Sequence, residues 1–138
     1  MSFNIDRQAY NHTSKTSDEQ KSSTKKAILN KNFRQAITFA LNRENYSAQV
    51  NGKDYAKAAI RNMYTAPAFV QVNGKDFGDV VADKLQTYGD QWSGVNLADG
   101  QNGLYSKEKA KAQFEKAKAE LQKEGVQFPI HLDVPVAQ

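Results

Sequence analysis

The stretch that decides the reading is Asn30 to Tyr46, NKNFRQAITFALNRENY. Phe33, Ala36, Ile37, Ala40 and Leu41 stand at i, i+3, i+4, i+7 and i+8, which is one continuous face of a 3.6-residue helix. Burying Phe33, Ile37 and Leu41 contributes roughly 1.5–3 kcal/mol each. Asn30 or Asn32 caps the start, because an asparagine amide oxygen accepts from the orphan N–H groups of a first turn. Arg43 sits near the end, where a cation is favoured by the helix dipole.

Upstream, Ser17 followed three residues later by Gln20 has the spacing of a capping box and predicts a surface helix over about 18–29. Before it, Asn11 to Ser17 (NHTSKTS) reads as a loop, and Ser2 to Asp6 as a short strand. Downstream, residues 43–50 continue as a short helix closed by Asn51-Gly52. Tyr55, Ala59 and Met63 at i, i+4 and i+8 predict a further helix over 54–63, ended before Pro67. Asn73-Gly74 between Val70-Gln71-Val72 and Lys75-Asp76-Phe77 predicts a small hairpin. Val81, Leu85 and Tyr88 mark a helix over about 77–88. Residues 89–105 (GDQWSGVNLADGQNGLY) hold four of the eight glycines and read as a long loop. Ser106 then caps a long helix to about Glu124, with Ala110, Phe114, Ala117 and Leu121 as its buried stripe and Gly125 as its stop. Phe128 to Val136 (FPIHLDVPV) alternates like a half-buried strand, with Pro129 and Pro135 near its ends.

The predicted fold class is therefore α+β, a mostly helical chain with a strand at each end. Those end strands pair with each other or with segments not present. An opening that runs straight into a strand further suggests a piece excised from a longer polypeptide, its targeting signal left behind.

The 138 residues allow about one domain. The absence of cysteine excludes disulfide scaffolds, Cys-ligated zinc, iron–sulfur clusters and thiol nucleophiles. An apolar share of 39% and a mean hydropathy of −0.74 are lean for a self-sufficient core. No run approaches the roughly 18 apolar residues of a membrane span. The net charge of +4 invites a nucleic-acid reading. However, the lysines of 107–123 alternate with glutamates, and the cluster from Lys15 to Arg34 includes Asp18 and Glu19 and carries no stacking aromatic. A solvated face outweighs a phosphate-binding one. His12 and His131 stand in no nucleophile context, and no serine lies in a G-x-S-x-G elbow. Asp90 and Asp99 lack the alternating spacing of a calcium loop. Trp92, the only tryptophan, reads first as a packing residue. Its loop also supports an alternative function, a helical surface module of the adhesin kind that uses Trp92 as its contact.

The segment FRQAITFALNR (33–43) resembles the F-R-Q-A-[IL]-x-x-[AG]-[LI]-[DN]-R segment of the extracellular solute-binding proteins of peptide ABC importers, the OppA/DppA-like family. The opening FNIDRQAY, the spacer TSKTSDEQKSSTKKAILNK, the stretch DQWSGVNLADGQNGLYSKEKAKAQFEKAKAEL and the closing FPIHLDVPV resemble its AmiA/AliA/AliB-type oligopeptide-binding lipoproteins. The resemblance implies part of a type II periplasmic-binding-protein lobe, with residues 1–138 a single fragment of the C-terminal lobe. It also implies an oligopeptide ligand, a membrane permease as partner, no cofactor, no catalysis and no membrane insertion by this piece. The whole protein would be a cell-surface lipoprotein, and the fragment alone would bind weakly or not at all. Carried over by position, Arg34 and Arg43 match the family's recurrent arginines and read as structural. Asn42 stands where many members have Asp, which removes an Asp–Arg pairing there. Asn4, Asp6 and Arg7 match the strand that enters the lobe near the cleft and are the candidate ligand-binding residues.

Overall fold

A computed structural model of the protein describes residues 3–97 and 104–134. The elements in chain order are α1 (Asp18–Leu29), α2 (Lys31–Ala40), α3 (Arg43–Asn51), β1 (Gln71–Val72), β2 (Lys75–Asp76), α4 (Phe77–Gln86) and α5 (Lys107–Lys123), with one 3₁₀ turn at Asp90–Trp92. The chain forms two compact units. The first combines Met1–Ile37 with Ala110–Gln138, and the second is Thr38–Lys109.

In the first unit, α1 begins where its cap predicts. Ser17 Oγ accepts from Gln20 N at 3.2 Å, while Gln20 Oε1 accepts from Thr16 N at 2.7 Å, a capping box displaced by one residue. Asn30 rather than Asn32 caps α2, its Oδ1 accepting from Phe33 N at 2.9 Å. The same residue ends α1 by donating its backbone N–H to Lys26 and Ala27, so one asparagine makes the corner between two helices. Arg34 Nη1 reaches back to the carbonyls of Ile28 and Leu29, both at 2.7 Å, satisfying the negative end of α1. Helix α5 closes in a Schellman arrangement. Val126 N donates to Leu121 O at 3.0 Å and Gly125 N to Gln122 O at 3.1 Å, with Gly125 at φ +72°. Leu121 and Val126 thereby enter one core with Ala27, Phe33 and Ala117, against which Ile37, Phe128 and Ile130 pack.

Several expectations need correction. The surface helix α1 buries Ser23, Thr24 and Ala27, because Ser23 Oγ accepts from Gln127 N and Thr24 Oγ1 donates to His131 O, docking residues 127–131 against it. The stripe of α5 is Ala110, Gln113, Ala117 and Leu121, with Phe114 displaced to the rim, where it stands edge-on to Phe128. The two end segments form no ladder among the described residues. Residues 3–6 instead turn, with Asn4 Oδ1 accepting from Asp6 N at 3.1 Å. Residues 130–134 take no strand conformation, and among the described residues no strand pairs with them. The α+β character survives in the internal hairpin.

In the second unit that hairpin pairs Gln71 with Asp76 and Val72 with Lys75. Asn73 and Gly74 at φ +51° and +77° make the primed turn that their sequence predicts. Asp76 then caps α4 at Gly78 N, 2.7 Å. Asn42 caps α3 at Asn45 N, 3.0 Å. The predicted helix over 54–63 is a series of turns over 53–59. Ala59 N reaches Tyr55 O at 3.1 Å, but Ala56 and Ile60 bond three residues back, and arginines take carbonyls that follow: Arg61 Nη1 holds Ala58 and Ile60, and Arg43 Nη1 holds Arg61. On α2 Phe33, Ala36 and Phe39 are buried, while Ala40 of the predicted stripe is exposed.

Candidate functional site

A cavity of about 430 Å³ in the first unit is lined mainly by apolar side chains, among them Phe3, Ile5, Ile28, Ile37, Leu132 and Val134. Its polar rim is built on Asp133. Lys15 Nζ donates to Asp133 Oδ2 at 2.7 Å, Thr13 Oγ1 donates to the same oxygen at 2.7 Å, and Arg7 Nη1 forms an ion pair with it. Ser14 N reaches Oδ1 at 3.4 Å. Hydrogen bonds from Lys15, then Arg7, then Thr13 hold the Asp133 carboxyl well below the usual carboxylate range, against the opposing effect of burial. The Lys15 side chain is fully enclosed, and Asp133 supplies the counter-charge that its burial requires.

Of the three residues singled out by position, Asn4 and Arg7 line the cavity, and Asp6 lies beside them. Asn4 and Asp6 are exposed, and Asp6 Oδ1 accepts from Gln8 Nε2 at 2.7 Å. Arg7 is held on several sides: Nε donates to Ala9 O at 2.8 Å, the guanidinium stacks 4.4 Å over the Tyr10 ring, and Nη1 meets Asp133. Lys15, Thr13 and Asp133 were missed in the sequence because nothing in its spacing joins residues 118 and 120 positions apart. The faint signal was an aspartate in the polar phase of the alternation over residues 130–134.

In the second unit, Arg43 pairs with Asn62 Oδ1, and Asn62 Nδ2 donates to Asn96 O at 2.6 Å. Burial pushes the Arg43 guanidinium below its ordinary value. Trp92 packs against Phe39 with ring centroids 5.4 Å apart, so the tryptophan braces its own unit. His12 is exposed, and His131 takes part through its carbonyl. Asp99, like Met1, Ser2, Pro135 and Val136, lies outside the described residues. No group of three or more His, Asp or Glu among the described residues could hold a metal ion, and no helix there is long and apolar enough to cross a membrane.

The chain is similar, along its whole length, to one part of several proteins named as oligopeptide-binding. It is 63% identical over all 138 residues to the oligopeptide-binding protein SarA of Streptococcus gordonii. It is 64% identical over 135 residues to AliA, and 62% over 138 residues to AmiA, two oligopeptide-binding proteins of Streptococcus pneumoniae serotype 4. The chain spans only 20–21% of the length of these relatives. No family model matches it.

Proposed function

We propose that this chain is part of the C-terminal lobe of an extracellular, lipid-anchored receptor that captures oligopeptides and delivers them to the permease of an ABC importer, with no catalytic step and no cofactor. The observation that carries this reading is the 58–64% identity, sustained along essentially the whole chain, to proteins named for oligopeptide binding. In the proposed mechanism the peptide binds across two lobes of a type II periplasmic-binding-protein fold. Its higher affinity for the closed state shifts the population toward closure, and the permease reads that state.

Asn4 and Asp6 are assigned to the peptide. Both are exposed, Asn4 lining the cavity, and an amide near a carboxylate suits the alternating donors and acceptors of an extended backbone. Arg7 joins them as a positioning residue, since Asp133, Ala9 and Tyr10 occupy its guanidinium. One wall of a two-walled cleft recovers little of the binding energy, so the 138-residue chain binds peptides weakly or not at all.

The test is calorimetric titration of short peptides into this chain, and into the S. gordonii relative with its matching fifth replaced by this chain. Micromolar binding by the graft, weakened by Asn4→Ala and Asp6→Ala, is expected, with affinity at least on the order of 100-fold lower for the 138 residues alone. A graft that binds no peptide, or equal binding by the short chain, overturns the reading.

A further inference from the structure

We propose that Asn73-Gly74 is a site of spontaneous covalent modification, where the asparagine amide is lost through a cyclic imide, and that the isoaspartate product loosens the junction between the β1–β2 hairpin and α4. The inference is independent of what the protein binds.

The hexapeptide QVNGKD occurs twice, at 49–54 and at 71–76, followed by Tyr55 and Phe77. Its Asn-Gly pair carries a known reactivity, because a following glycine has no side chain to keep its nitrogen from the asparagine amide. The nitrogen of the glycine gives its proton to water and attacks the asparagine Cγ. A C–N bond forms, the Cγ–Nδ2 bond breaks, and the departing nitrogen takes up a proton and leaves as ammonia. Water then adds to one carbonyl carbon of the imide ring and opens it. Opening at the side-chain carbonyl gives aspartate, and opening at the backbone carbonyl gives isoaspartate. Nothing is oxidised or reduced, and water is the only co-reactant.

Local sequence does not separate the two copies. Both Asn-Gly pairs are exposed, and both glycines have positive φ with open space where a Cβ would stand. Hydrogen bonding separates them. Gly52 N donates to Ala48 O at 3.1 Å, and Asn51 Nδ2 donates to Ser47 Oγ at 3.0 Å, so α3 holds both reacting groups. Neither the Asn73 side chain nor Gly74 N has a partner among the described residues. Attack at Asn51 must first break two hydrogen bonds that attack at Asn73 does not meet. A third pair, Asn102-Gly103, lies outside the described residues.

Asn73 and Gly74 form the two-residue loop that sets the register of Gln71 with Asp76 and of Val72 with Lys75. Aspartate tolerates the left-handed backbone at position 73 and keeps the turn. Isoaspartate runs the main chain through the side-chain carbonyl, which adds a methylene to the loop and breaks the register. Asp76 ends that register. It caps α4 at Gly78 N, 2.7 Å, and its other oxygen accepts from Ala68 N.

The test holds the 138-residue chain at mildly alkaline pH in water enriched in heavy oxygen and maps its peptides by mass spectrometry. Heavy oxygen should enter position 73 on the order of 10-fold faster than position 51. In urea the two identical hexapeptides should react alike, and Ser47→Ala should speed position 51 alone in the folded chain. The purified isoaspartate fraction should exchange its Gly78 amide faster than the unreacted chain. Equal rates in the folded chain, a preference for position 73 that persists in urea, or no effect of Ser47→Ala overturns the assignment. Unchanged exchange at Gly78 overturns the loosening of the junction.

Discussion

Lys15 Nζ lies 2.7 Å from Asp133 Oδ2, with the lysine side chain fully enclosed, which ties the loop before α1 to the extended segment after α5. Two residues 118 positions apart thus close the rim of the apolar cavity in the first unit. Removing either partner has unequal consequences, because Asp133 keeps Arg7 and Thr13 whereas Lys15 has no second carboxylate partner among the described residues.

Asp133→Asn should destabilise the protein by about 2–3 kcal/mol, since it leaves the enclosed ammonium without its counter-charge. Lys15→Met should cost less than about 1 kcal/mol, because an apolar chain of similar length fills the same space with no charge to desolvate. Urea denaturation of the two variants measures the difference, and equal losses would contradict the asymmetry.

The same carboxylate sets an acid limb of stability. Its folded pKa lies below its ordinary value of 3.8, so its contribution is fully present above that value and is lost as pH falls through and below it. Unfolding free energy should therefore be flat from neutrality down to about pH 5 and fall below about pH 4. Asp133→Asn should flatten that fall, which denaturation series at pH 7, 5, 4 and 3 would show.

Asn30→Ala removes the cap of α2 and the amide bond to Glu120 Oε2 at 2.7 Å, and should cost about 1–2 kcal/mol. Asn32→Ala loses only its exposed bonds to the Glu120 carboxylate and should cost less than about 0.5 kcal/mol. Thermal melts of the two single variants separate the corner residue from its neighbour.

Leu121→Ala, at a fully buried position of the first unit's core, should cost about 3–4 kcal/mol. Phe114→Ala, 37% exposed at the rim, should cost about 1 kcal/mol. The larger ring is thus the cheaper loss, and an inverted order in chemical denaturation would refute the observed orientation of α5.

Phe39→Leu removes the ring beside Trp92 and should shift tryptophan emission to longer wavelength. Because Trp92 is the only tryptophan, the change reports on the second unit alone. An unchanged spectrum would place Trp92 away from Phe39.

Local structure was legible in the chain wherever a cap or turn acts over a few residues. Ser17, Ser106, Asn73-Gly74 and Gly125 each satisfy backbone groups within about five positions, so their meaning is contained in their neighbourhood. Periodicity was weaker evidence. It placed α2 and α5 correctly but misjudged which side chains go inside, since a face of α2 carrying Phe33, Ala36 and Ile37 can rotate to bury Phe39 in place of Ala40. Over 54–63 it failed, because Ala56 and Ile60 bond three residues back and Arg61 and Arg43 take carbonyls that a longer helix would use.

The sequence by itself determined the helices with their caps, the hairpin, and the likeness to peptide-binding receptors, all properties of short segments or of residue identity. Only the tertiary structure decided that Asp133 gathers Lys15, Thr13 and Arg7, that Ser23 and Thr24 of α1 hold the closing segment, and that this segment joins no ladder among the described residues. The physical reason is range. Capping and turn chemistry are decided within a helical turn, whereas an ion pair or a strand edge exists only once distant parts of the chain have been brought side by side.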